Sequence, residues 1–343
     1  MSWWQPQKFE SRRQNLKTRM ALIKAVRRFF DDQGFWEVET PALQVSPCAE
    51  AHLHGFKTRL LGTDLQPVTD LYLHTSPEFA MKKLMVAGVE RLYQICHVYR
   101  NGESSSLHSP EFSMIEWYRT GVDYEAIMED CIGLLRAVAQ DLGIAAYRHK
   151  DKNADPFKDW QKITVAEAFQ TYADIDLERF LDDAEGLAAA AREQGLRVTP
   201  DYSWDDVFFA VMDERIEPSL GHGVPTILYD YPAHMAALSR KKTDDPRFAE
   251  RFELYVCGIE LANAFSELTD AAEQRARFEA EMALKKQLYG QNYPVDEDFL
   301  KALEYGMPES GGIALGIDRL VMLATGAEDI IQTQWVSPSQ IDT

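Results

Sequence analysis

Apolar residues near the start of the chain recur at helical spacing and then give way to an extended pattern. The helical segment is marked by Leu16, Met20, Ile23, Val26 and Phe30. Gly34 stands where the end of such a helix favours a left-handed residue. Residues 35–40 are predicted as a strand that Pro41 ends. A helix followed by a strand is mostly generic core, so this unit alone assigns no function.

Two further apolar segments, Leu92 to Arg100 and Glu111 to Arg119, are predicted as neighbouring strands. The polar loop between them, residues 101–110, is too long for a tight hairpin turn, and long loops of this kind often carry function. Strand alternation places four side chains of the second strand on one face, namely Phe112, Met114, Glu116 and Tyr118. A carboxylate on such an aromatic face indicates a binding site.

Residues 252–261 are predicted as a hairpin that turns at residues 257–258. This register places Tyr255 opposite Glu260 and makes Glu253 a diagonal neighbour of Glu260 on the same face. Two carboxylates this close repel each other unless a cation lies between them, and Mg²⁺ binds carboxylate and phosphate oxygens. A pair of solvated glutamates on an edge strand would explain the pattern equally well.

A strand rich in small residues is predicted near the end of the chain. Its larger apolar residues share one face, namely Ile313, Leu315 and Ile317. Its other face carries Gly312, Ala314 and Gly316. Such a bare face lets a ligand lie against the backbone, although packing against a helix is the alternative. Asp318 is expected to cap the following helix, and Arg319 in its first turn opposes the helix dipole, which favours an anionic or aromatic ligand there.

Bulk composition excludes some classes of partner. The chain has 343 residues, 45% of them hydrophobic, and is long enough to bury a sizeable core. Its 36 Lys and Arg against 55 Asp and Glu give a net charge of −19. Nucleic-acid binding depends on clustered basic side chains, and the longest basic run is Arg240-Lys241-Lys242. A protein or small-molecule acceptor is therefore favoured over RNA.

The organisation of the sequence predicts a single unit. Because internal repeats and low-complexity linkers are absent, we expect one domain over residues 1–343 with a helical insertion around 120–250. Neither a signal peptide nor a long apolar span stands out, so we expect a cytoplasmic protein. The four cysteines form no CxxC pair, which argues against a disulfide framework and against a zinc ribbon.

The predicted helix and strands resemble, in order and spacing, the three motifs of class II aminoacyl-tRNA synthetases. Four segments resemble the lysine branch of that class: Thr75-Ser76-Pro77-Glu78, His108-Ser109-Pro110-Glu111-Phe112, Glu116-Trp117-Tyr118-Arg119 and residues 260–270. The resemblance extends from about residue 15 to residue 325. It implies an α+β fold in which an antiparallel sheet is flanked by helices.

Lysyl-tRNA synthetases carry an N-terminal OB-fold domain that binds the anticodon, and we expect no such domain here. A lysine-activating domain without it is similar to the elongation factor P (R)-β-lysine ligase family, whose members modify a lysine of that translation factor. Ala314 supports this likeness, because the ligases have alanine there and lysyl-tRNA synthetases have glycine. Its methyl group is expected to occupy space that an α-amino group needs, although it could instead simply pack against the following helix. The family likeness implies ATP-dependent activation of (R)-β-lysine or lysine, with elongation factor P as acceptor and no tRNA binding.

The same resemblance implies which residues bind ATP and Mg²⁺. Arg100 and Arg319 are the expected catalytic residues: Arg100 would bind the α-phosphate, and Arg319 would enclose the adenine with Phe112. The full set expected to bind ATP is Arg100, Asn101, Gly102, Glu103, His108, Ser109, Phe112, Glu260, Leu261, Gly316 and Arg319. The expected Mg²⁺ ligands are Glu253 and Glu260.

A second set of residues is implied for the amino acid. It consists of Ser76, Glu78, Glu116, Tyr118, Asn263, Glu267 and Ala314. Of these, Asn263 would lie near the carboxylate of the amino acid. Ser76 and Glu78 would hold the amine at the backbone end. Glu116 and Glu267, with Tyr118, would hold the ε-ammonium, because a buried cation requires carboxylate partners.

Several positions depart from the synthetase pattern. The acidic residue after Arg100 is displaced by one position to Glu103, and the position before His108 is Leu107 rather than arginine. The glycines that usually flank the central asparagine of the 260–270 segment are Ala262 and Ala264. Residues 232–237 match neither family.

Alternative functions and an assembly state follow from the same residues. A freestanding core that aminoacylates tRNA and an amide-forming ligase of the asparagine-synthetase type are alternatives, and a non-catalytic amino-acid sensor is a third. Glu116 and Glu267 suit a cationic side chain, which disfavours an aspartate substrate. The helix over residues 16–30 is more apolar than one buried face needs, so we expect a homodimer.

Overall fold

The computed structural model describes residues 4–338, and its strands form three sheets. The strands are β1 (Trp36–Glu37), β2 (Leu43–Gln44), β3 (Phe56–Leu61), β4 (Pro67–Leu73), β5 (Arg91–Tyr99), β6 (Glu111–Thr120), β7 (Tyr147–His149), β8 (Lys152–Ala154), β9 (Gln161–Thr164), β10 (Thr226–Pro232), β11 (Phe248–Val256), β12 (Ile259–Ser266) and β13 (Ser310–Gly316). The main sheet has the strand order β1-β5-β6-β13-β12-β11-β10-β9. Its two outermost pairs are parallel and its remaining pairs are antiparallel.

Helices flank this sheet. They are α1 (Pro6–Glu10), α2 (Arg13–Asp32), α3 (Glu78–Val86), α4 (Tyr124–Leu142), α5 (Val165–Ala173), α6 (Ala184–Glu193), α7 (Trp204–Val211), α8 (Ala271–Tyr289), α9 (Glu297–Gly306) and α10 (Ile317–Thr325). Short 3₁₀ or π-helical segments lie at Leu177–Phe180, Met212–Ile216, Glu217–Ser219, Ala233–Met235 and Ile330–Gln332. The expected α+β fold, an antiparallel sheet flanked by helices, is confirmed.

The central strands lie where alternation predicted them. β5 and β6 begin and end within one residue of the predicted segments. The hairpin turns at residues 257–258, and Tyr255 faces Glu260. A register shift after Leu254 brings Glu253 opposite Asn263. The prediction of which side chains share one face of the hairpin is therefore correct, and the hydrogen-bond ladder between the two strands has one irregularity.

Three local predictions need correction. The strand expected at residues 35–40 is only the two residues of β1, because its ladder with β5 ends after Glu37. Asp318 does not cap α10, since Gly316 is the N-cap and Asp318 lies inside the first turn. The Asp318 carboxylate is instead buried and pairs with Arg19. Met20 is 48% exposed, so the apolar stripe of α2 is only partly buried.

The main core lies between the sheet and the helices α2, α4 and α10. Phe30 is fully buried and stacks on Tyr93 of β5, with ring centroids 4.9 Å apart. The same ring approaches Trp117 of β6 at 5.1 Å. Gly34 ends this helical region with a φ of 73°, which a residue with a side chain rarely adopts. This packing fixes β5 and β6 from the side opposite the functional residues.

The region around residues 120–250 contains helices α4 to α7 together with strands β7 to β10 and the start of β11. A second hydrophobic cluster, which we call the insertion core, packs α5, α6 and α7 against β9 and β10. In it Phe169 stacks on Phe208 at 5.0 Å. Both α5 and α7 begin with a capping box, formed by Thr164 in the first helix and Ser203 in the second. Helices α5, α6 and α7 therefore form a layer with an apolar core of its own.

A separate three-stranded sheet, in the order β2-β4-β3, carries exposed apolar side chains. They include Leu43, Val45, Leu60, Leu61, Leu65 and Val68. Trp36 of β1 is 65% exposed as well. Among residues 4–338, no helix has the length and apolar sequence that crossing a bilayer requires.

Candidate active site

Most of the predicted site residues meet at one cavity of about 290 Å³. Those that line it are Ser76, Glu78, Arg100, Glu103, His108, Ser109, Phe112, Tyr118, Glu253, Glu260, Leu261, Asn263, Glu267, Ala314, Gly316 and Arg319. Phe112 and Tyr118 are six residues apart on β6, which corresponds to about 20 Å of strand. The cavity therefore has an aromatic and cationic end near Phe112 and an acidic end near Tyr118.

In the loop after β5, the acidic residue is Glu103, one position later than in the synthetase pattern. Glu103 lines the cavity, whereas Asn101 and Gly102 are not part of the lining. The backbone N–H of Asn101 donates to the carbonyl of His54 at 2.7 Å. Gly102 has a φ of 85°, so a turn occupies the position where the synthetase pattern has its acidic residue. Asn101 and Gly102 thus shape the loop in this structure.

Several features of the aromatic and cationic end fit a nucleotide. Ser109 is 2% exposed, and its hydroxyl has no hydrogen-bond partner among the described residues. The guanidinium carbon of Arg100 lies 5.4 Å from the centroid of the Phe112 ring. An aromatic ligand that carries phosphates would stack on such a ring, pair with such a cation and give the buried hydroxyl a partner.

Arg319 is held in place by the protein. It donates to the backbone carbonyl of Glu260 at 2.6 Å and to Nε2 of His108 at 2.7 Å. Burial, followed by the charge of Arg319, lowers the pKa of His108, which keeps the ring neutral. Nδ1 of His108 lies 2.9 Å from the hydroxyl of Ser105 and carries the remaining proton. In this conformation His108 orients Arg319.

The predicted metal ligands differ in how much of their capacity is free. Glu253 is 9% exposed; its Oε1 accepts from Arg251 at 2.6 Å, and its Oε2 accepts from Tyr231 and Tyr255 at 2.6 and 2.7 Å. Burial raises the pKa of Glu253, with the charge of Arg251 opposing and that of Glu260 adding to the shift. The side chain of Glu260 is 41% exposed. Oε2 of Glu260 accepts a long hydrogen bond of 3.4 Å from Arg319, so Oε1 of Glu260 and one lone pair on Oε1 of Glu253 remain for a cation.

This donor set fits Mg²⁺ only together with phosphate oxygens. No group of three or more His, Cys, Asp or Glu side chains within residues 4–338 is arranged to hold a metal ion. Mg²⁺ usually binds through one or two carboxylates plus substrate phosphates and waters. Glu253 and Glu260 match that requirement.

Strand β13 presents its small residues to the cavity, as alternation predicted. They are Gly312, Ala314 and Gly316. A Cβ atom at Gly312 would overlap the carboxylate of Glu267 and the ring of Tyr118, so glycine is required there. The residues opposite Ala314 on the neighbouring strands are Asn263 and Glu116. The methyl group of Ala314 thus lies between two predicted substrate-binding residues.

At the acidic end, Glu78 and Glu267 line the cavity and share one buried lysine. The ammonium of Lys82 pairs with Glu78 and lies 2.5 Å from Oε2 of Glu267. Burial alone would lower the pKa of Lys82, but the Glu267 and Glu78 carboxylates outweigh burial and raise it. Apart from this ion pair, no described residue hydrogen-bonds the Glu267 oxygens. Glu267 therefore offers free lone pairs to a cation in the cavity.

Glu116 lies beneath the cavity wall and is not part of its lining. Its side chain is 1% exposed and accepts hydrogen bonds from Ser76 at 2.5 Å and from Tyr118 at 2.8 Å. Burial, followed by the charge of Glu78, raises the pKa of Glu116 to about 7. Its contact with the cavity is therefore through the two hydroxyl groups that it orients.

Apolar side chains complete the acidic end. Phe79, Leu238 and Phe265 line the cavity there. Phe79 stacks on Phe299 with ring centroids 4.7 Å apart, which fixes that wall. A ligand for this end therefore has a cationic group and a hydrocarbon part, as a lysine side chain does.

Two charged residues that contact predicted site residues were missed by the sequence analysis. Arg251 lines the cavity and donates from Nε to Oδ1 of Asn263 at 3.1 Å, which leaves the amide N–H groups of Asn263 free for a carboxylate. Lys82 is the other. Arg251 is two residues before Glu253 on a strand, and Lys82 is four residues after Glu78 on a helix. Both spacings place the missed residue on the same face as a predicted one.

Comparison with known proteins agrees with this geometry. The family model of class II tRNA synthetases (D, K and N) matches residues 6–336. A Vibrio cholerae protein named elongation factor P–(R)-β-lysine ligase is 39% identical over 316 residues, which is 92% of both chains. Proteins of the same name from Edwardsiella ictaluri and an Enterobacter species are each 38% identical, over 96% and 95% of this chain and 95% of their own lengths.

Proposed function

Because the chain belongs to the class II tRNA synthetase family, in the branch of the elongation factor P–(R)-β-lysine ligases, we propose that it activates (R)-β-lysine or lysine with ATP and transfers it to a lysine side chain of elongation factor P. The observation that carries this proposal is the cavity with two unlike ends. One end joins Arg100, Phe112 and Arg319, and the other joins Glu78 and Glu267.

ATP binds at the aromatic and cationic end in this proposal. Phe112 and Arg319 enclose the adenine, and Arg100 neutralises charge on the α-phosphate as the transition state develops. Glu260, with the free lone pair of Glu253, would hold Mg²⁺, which would balance charge on the phosphates. Ser109 and Glu103 supply the remaining contacts to the nucleotide.

The amino acid lies along β13 with its carboxylate toward the nucleotide. Asn263, oriented by Arg251, donates to that carboxylate, while Glu267 holds an ammonium group and Glu78 a second one. The carboxylate attacks the α-phosphorus, pyrophosphate leaves, and an aminoacyl-adenylate forms. An acceptor lysine, after losing a proton, then attacks the carbonyl carbon, so that an amide forms and AMP leaves.

Transfer to protein is favoured over transfer to tRNA by charge. A net charge of −19 opposes a polyanion, and Leu107 stands where synthetases often have arginine. A cytoplasmic location follows for an enzyme that uses ATP to modify a translation factor. The test supplies labelled (R)-β-lysine, Mg²⁺ and ATP together with elongation factor P and tRNA. We expect label in protein; label that appears only in RNA would contradict the proposal.

We further propose that the chain forms a homodimer. Met20 of α2 and Trp36 of β1 are exposed apolar residues, and the β2-β4-β3 sheet adds more. Exposed apolar patches of this kind often mark protein interfaces. Light scattering across micromolar concentrations should give the mass of a dimer, and a monomer throughout that range would refute the assembly without affecting the activity.

A further inference from the structure

Four charged side chains, three of them buried and one 14% exposed, form a connected group at the acidic end of the cavity. They are Glu78, Lys82, Glu116 and Glu267, which we call the acidic cluster. Lys82 pairs with both Glu78 and Glu267. Ser76 connects the remaining member, since its hydroxyl donates to Glu116 at 2.5 Å and accepts from the backbone N–H of Glu78 at 3.0 Å.

Lys82 belongs to the wall of the cavity without facing it. Its side chain is 1% exposed, and it is not part of the cavity lining, whereas Glu78 and Glu267 are. Its ammonium also lies 6.0 Å from the ring centroid of Phe299 on α9. A ligand in the cavity would therefore meet the two carboxylates while Lys82 stays in place behind them.

The charges of the acidic cluster do not balance. With all four groups ionised, three carboxylates and one ammonium leave two negative charges. Burial raises the pKa of Glu116 to about 7 and that of Glu267 to about 8, so both negative charges form fully only when a cation binds. Buried charges require partners of opposite sign. A ligand with two ammonium groups would supply both, whereas a ligand with one would leave a buried charge unpaired.

We propose that Lys82 is a positioning residue that sets specificity: as a built-in ammonium it neutralises one of three glutamates, so that the pocket accepts amino acids with two ammonium groups. This inference rests on the proposed function and refines it. It predicts selectivity by charge count, in addition to the contacts that Glu78 and Glu267 make.

A purely mechanical role for Lys82 is the alternative, in which it only ties α3 to β12. The two roles differ in a double-mutant cycle. Lys82→Met leaves three uncompensated carboxylates. Glu116→Gln leaves two carboxylates and the Lys82 ammonium, so one carboxylate is uncompensated. The double variant restores two uncompensated carboxylates, as in the wild type. Glu116 is suited to the cycle because it does not line the cavity.

The measurement is ATP–pyrophosphate exchange with (R)-β-lysine, α-lysine and norleucine. Charge counting predicts that Lys82→Met raises KM for both lysines about 10- to 100-fold, because removing an adjacent cation shifts a carboxylate pKa by one to two units. Glu116→Gln should lower the preference for lysine over norleucine. The double variant should recover a KM below that of Lys82→Met, with the lysine preference restored.

Lys83→Met is the matched control. Lys83 is the next residue of α3, and it pairs with Asp296 and Asp298 outside the acidic cluster. Its KM for lysine should stay within about twofold of the wild-type value, as expected for a partly exposed ion pair. Melting temperatures of all variants show which of them fold.

A wild-type measurement keeps the inference testable even if Lys82→Met does not fold. Because the pKa of Glu116 is raised to about 7, lysine must bind to carboxylates that lose a proton on binding, so KM should fall as the pH rises from 6 to 8. The titratable groups around Glu116 are Glu78, Lys82, Cys96, Tyr118 and Glu267. Calorimetry in buffers of different ionisation enthalpy should show proton release with lysine and not with norleucine.

Two results would overturn the inference: variant effects that multiply instead of compensating, or lysine binding without proton release. Either result, with wild-type exchange intact, removes the role of Lys82 and leaves the proposed function standing. Wild-type protein that gives no exchange with either lysine isomer would instead contradict the proposed function.

Discussion

The acidic end of the cavity and the insertion core are both buried, yet they are built from opposite materials. The insertion core consists of apolar residues such as Phe169 and Phe208, and its helices begin with side-chain caps. At the acidic end, glutamates and a lysine are buried together. Buried charges stabilise little and often cost free energy, whereas packed aromatic residues contribute strongly.

Helix ends repeat the same contrast. α5 and α7 have capping boxes, but α3 and α10, whose first turns adjoin the cavity, have no side-chain cap from Pro77 or Gly316. Caps contribute about 0.5–2 kcal/mol each. We conclude that the insertion core supplies stability, and that the elements around the cavity give up some stability for a site with buried charges.

The largest effect is expected in the insertion core. Phe208→Ala should lower the free energy of unfolding by about 3–5 kcal/mol, because it removes a fully buried ring that stacks on Phe169. The rate of ATP–pyrophosphate exchange catalysed by the folded fraction should not change. Denaturant unfolding and exchange kinetics measure both quantities, and Phe209→Ala, at a 49% exposed neighbour, is the control. If folded Phe208→Ala protein lost its ATP–pyrophosphate exchange activity, that result would contradict the contrast between the insertion core and the acidic end.

The opposite result is expected at the cavity. Arg100→Ala should lower kcat/KM for exchange roughly 10²–10³-fold, or about 3–4 kcal/mol, since it removes a cation from the developing charge on phosphate. Its melting temperature should stay near that of wild type. Arg275→Ala removes a surface arginine that pairs with Glu297 and should leave the rate unchanged. Exchange of wild-type efficiency in Arg100→Ala would remove the catalytic assignment.

Ala314→Gly tests the wall between the two ends. The methyl group should exclude an α-amino group by about 1–3 kcal/mol, roughly 5- to 150-fold. The variant should therefore raise kcat/KM for α-lysine by that factor, with (R)-β-lysine changing much less. If Ala314 only packs against the following helix, both isomers should lose activity equally and thermal stability should fall. An unchanged ratio of the isomers would contradict the steric role.

The smallest effect concerns pH. Because the pKa of Glu116 is raised to about 7, the folded state holds a proton that the unfolded chain loses near pH 4.5. Stability without ligand should therefore decline as the pH rises from about 4.5 to about 7. Glu116→Gln should reduce that decline and raise the melting temperature at pH 8. A wild-type melting temperature that does not fall over this range would contradict the burial cost.

Strand alternation explains why much of the site was predictable from the sequence. The faces of β6 and β13 follow directly from a two-residue repeat, so Phe112, Tyr118 and Ala314 could be placed before any packing was known. The same rule could not show that Glu116 lies beneath the wall. That depends on the hydroxyl group of Tyr118 on the same strand and on that of Ser76, which is 40 positions away in the sequence.

Tertiary contacts account for the predictions that failed. Asp318 has the composition of a helix cap, but pairing with Arg19, 299 positions away, places it within the first turn. Lys82 resembles a surface lysine of an amphipathic helix until the fold brings Glu267, the residue after β12, against it. Local propensity cannot anticipate partners that are distant in sequence.

ATP–pyrophosphate exchange by the purified chain tests the central claim most directly. With Mg²⁺ and ATP but without tRNA, we expect exchange that depends on (R)-β-lysine or lysine and that norleucine does not support. That result would show one cavity coupling a nucleotide end to an acidic end. Exchange that requires tRNA, or that norleucine supports as well as lysine, would contradict the account.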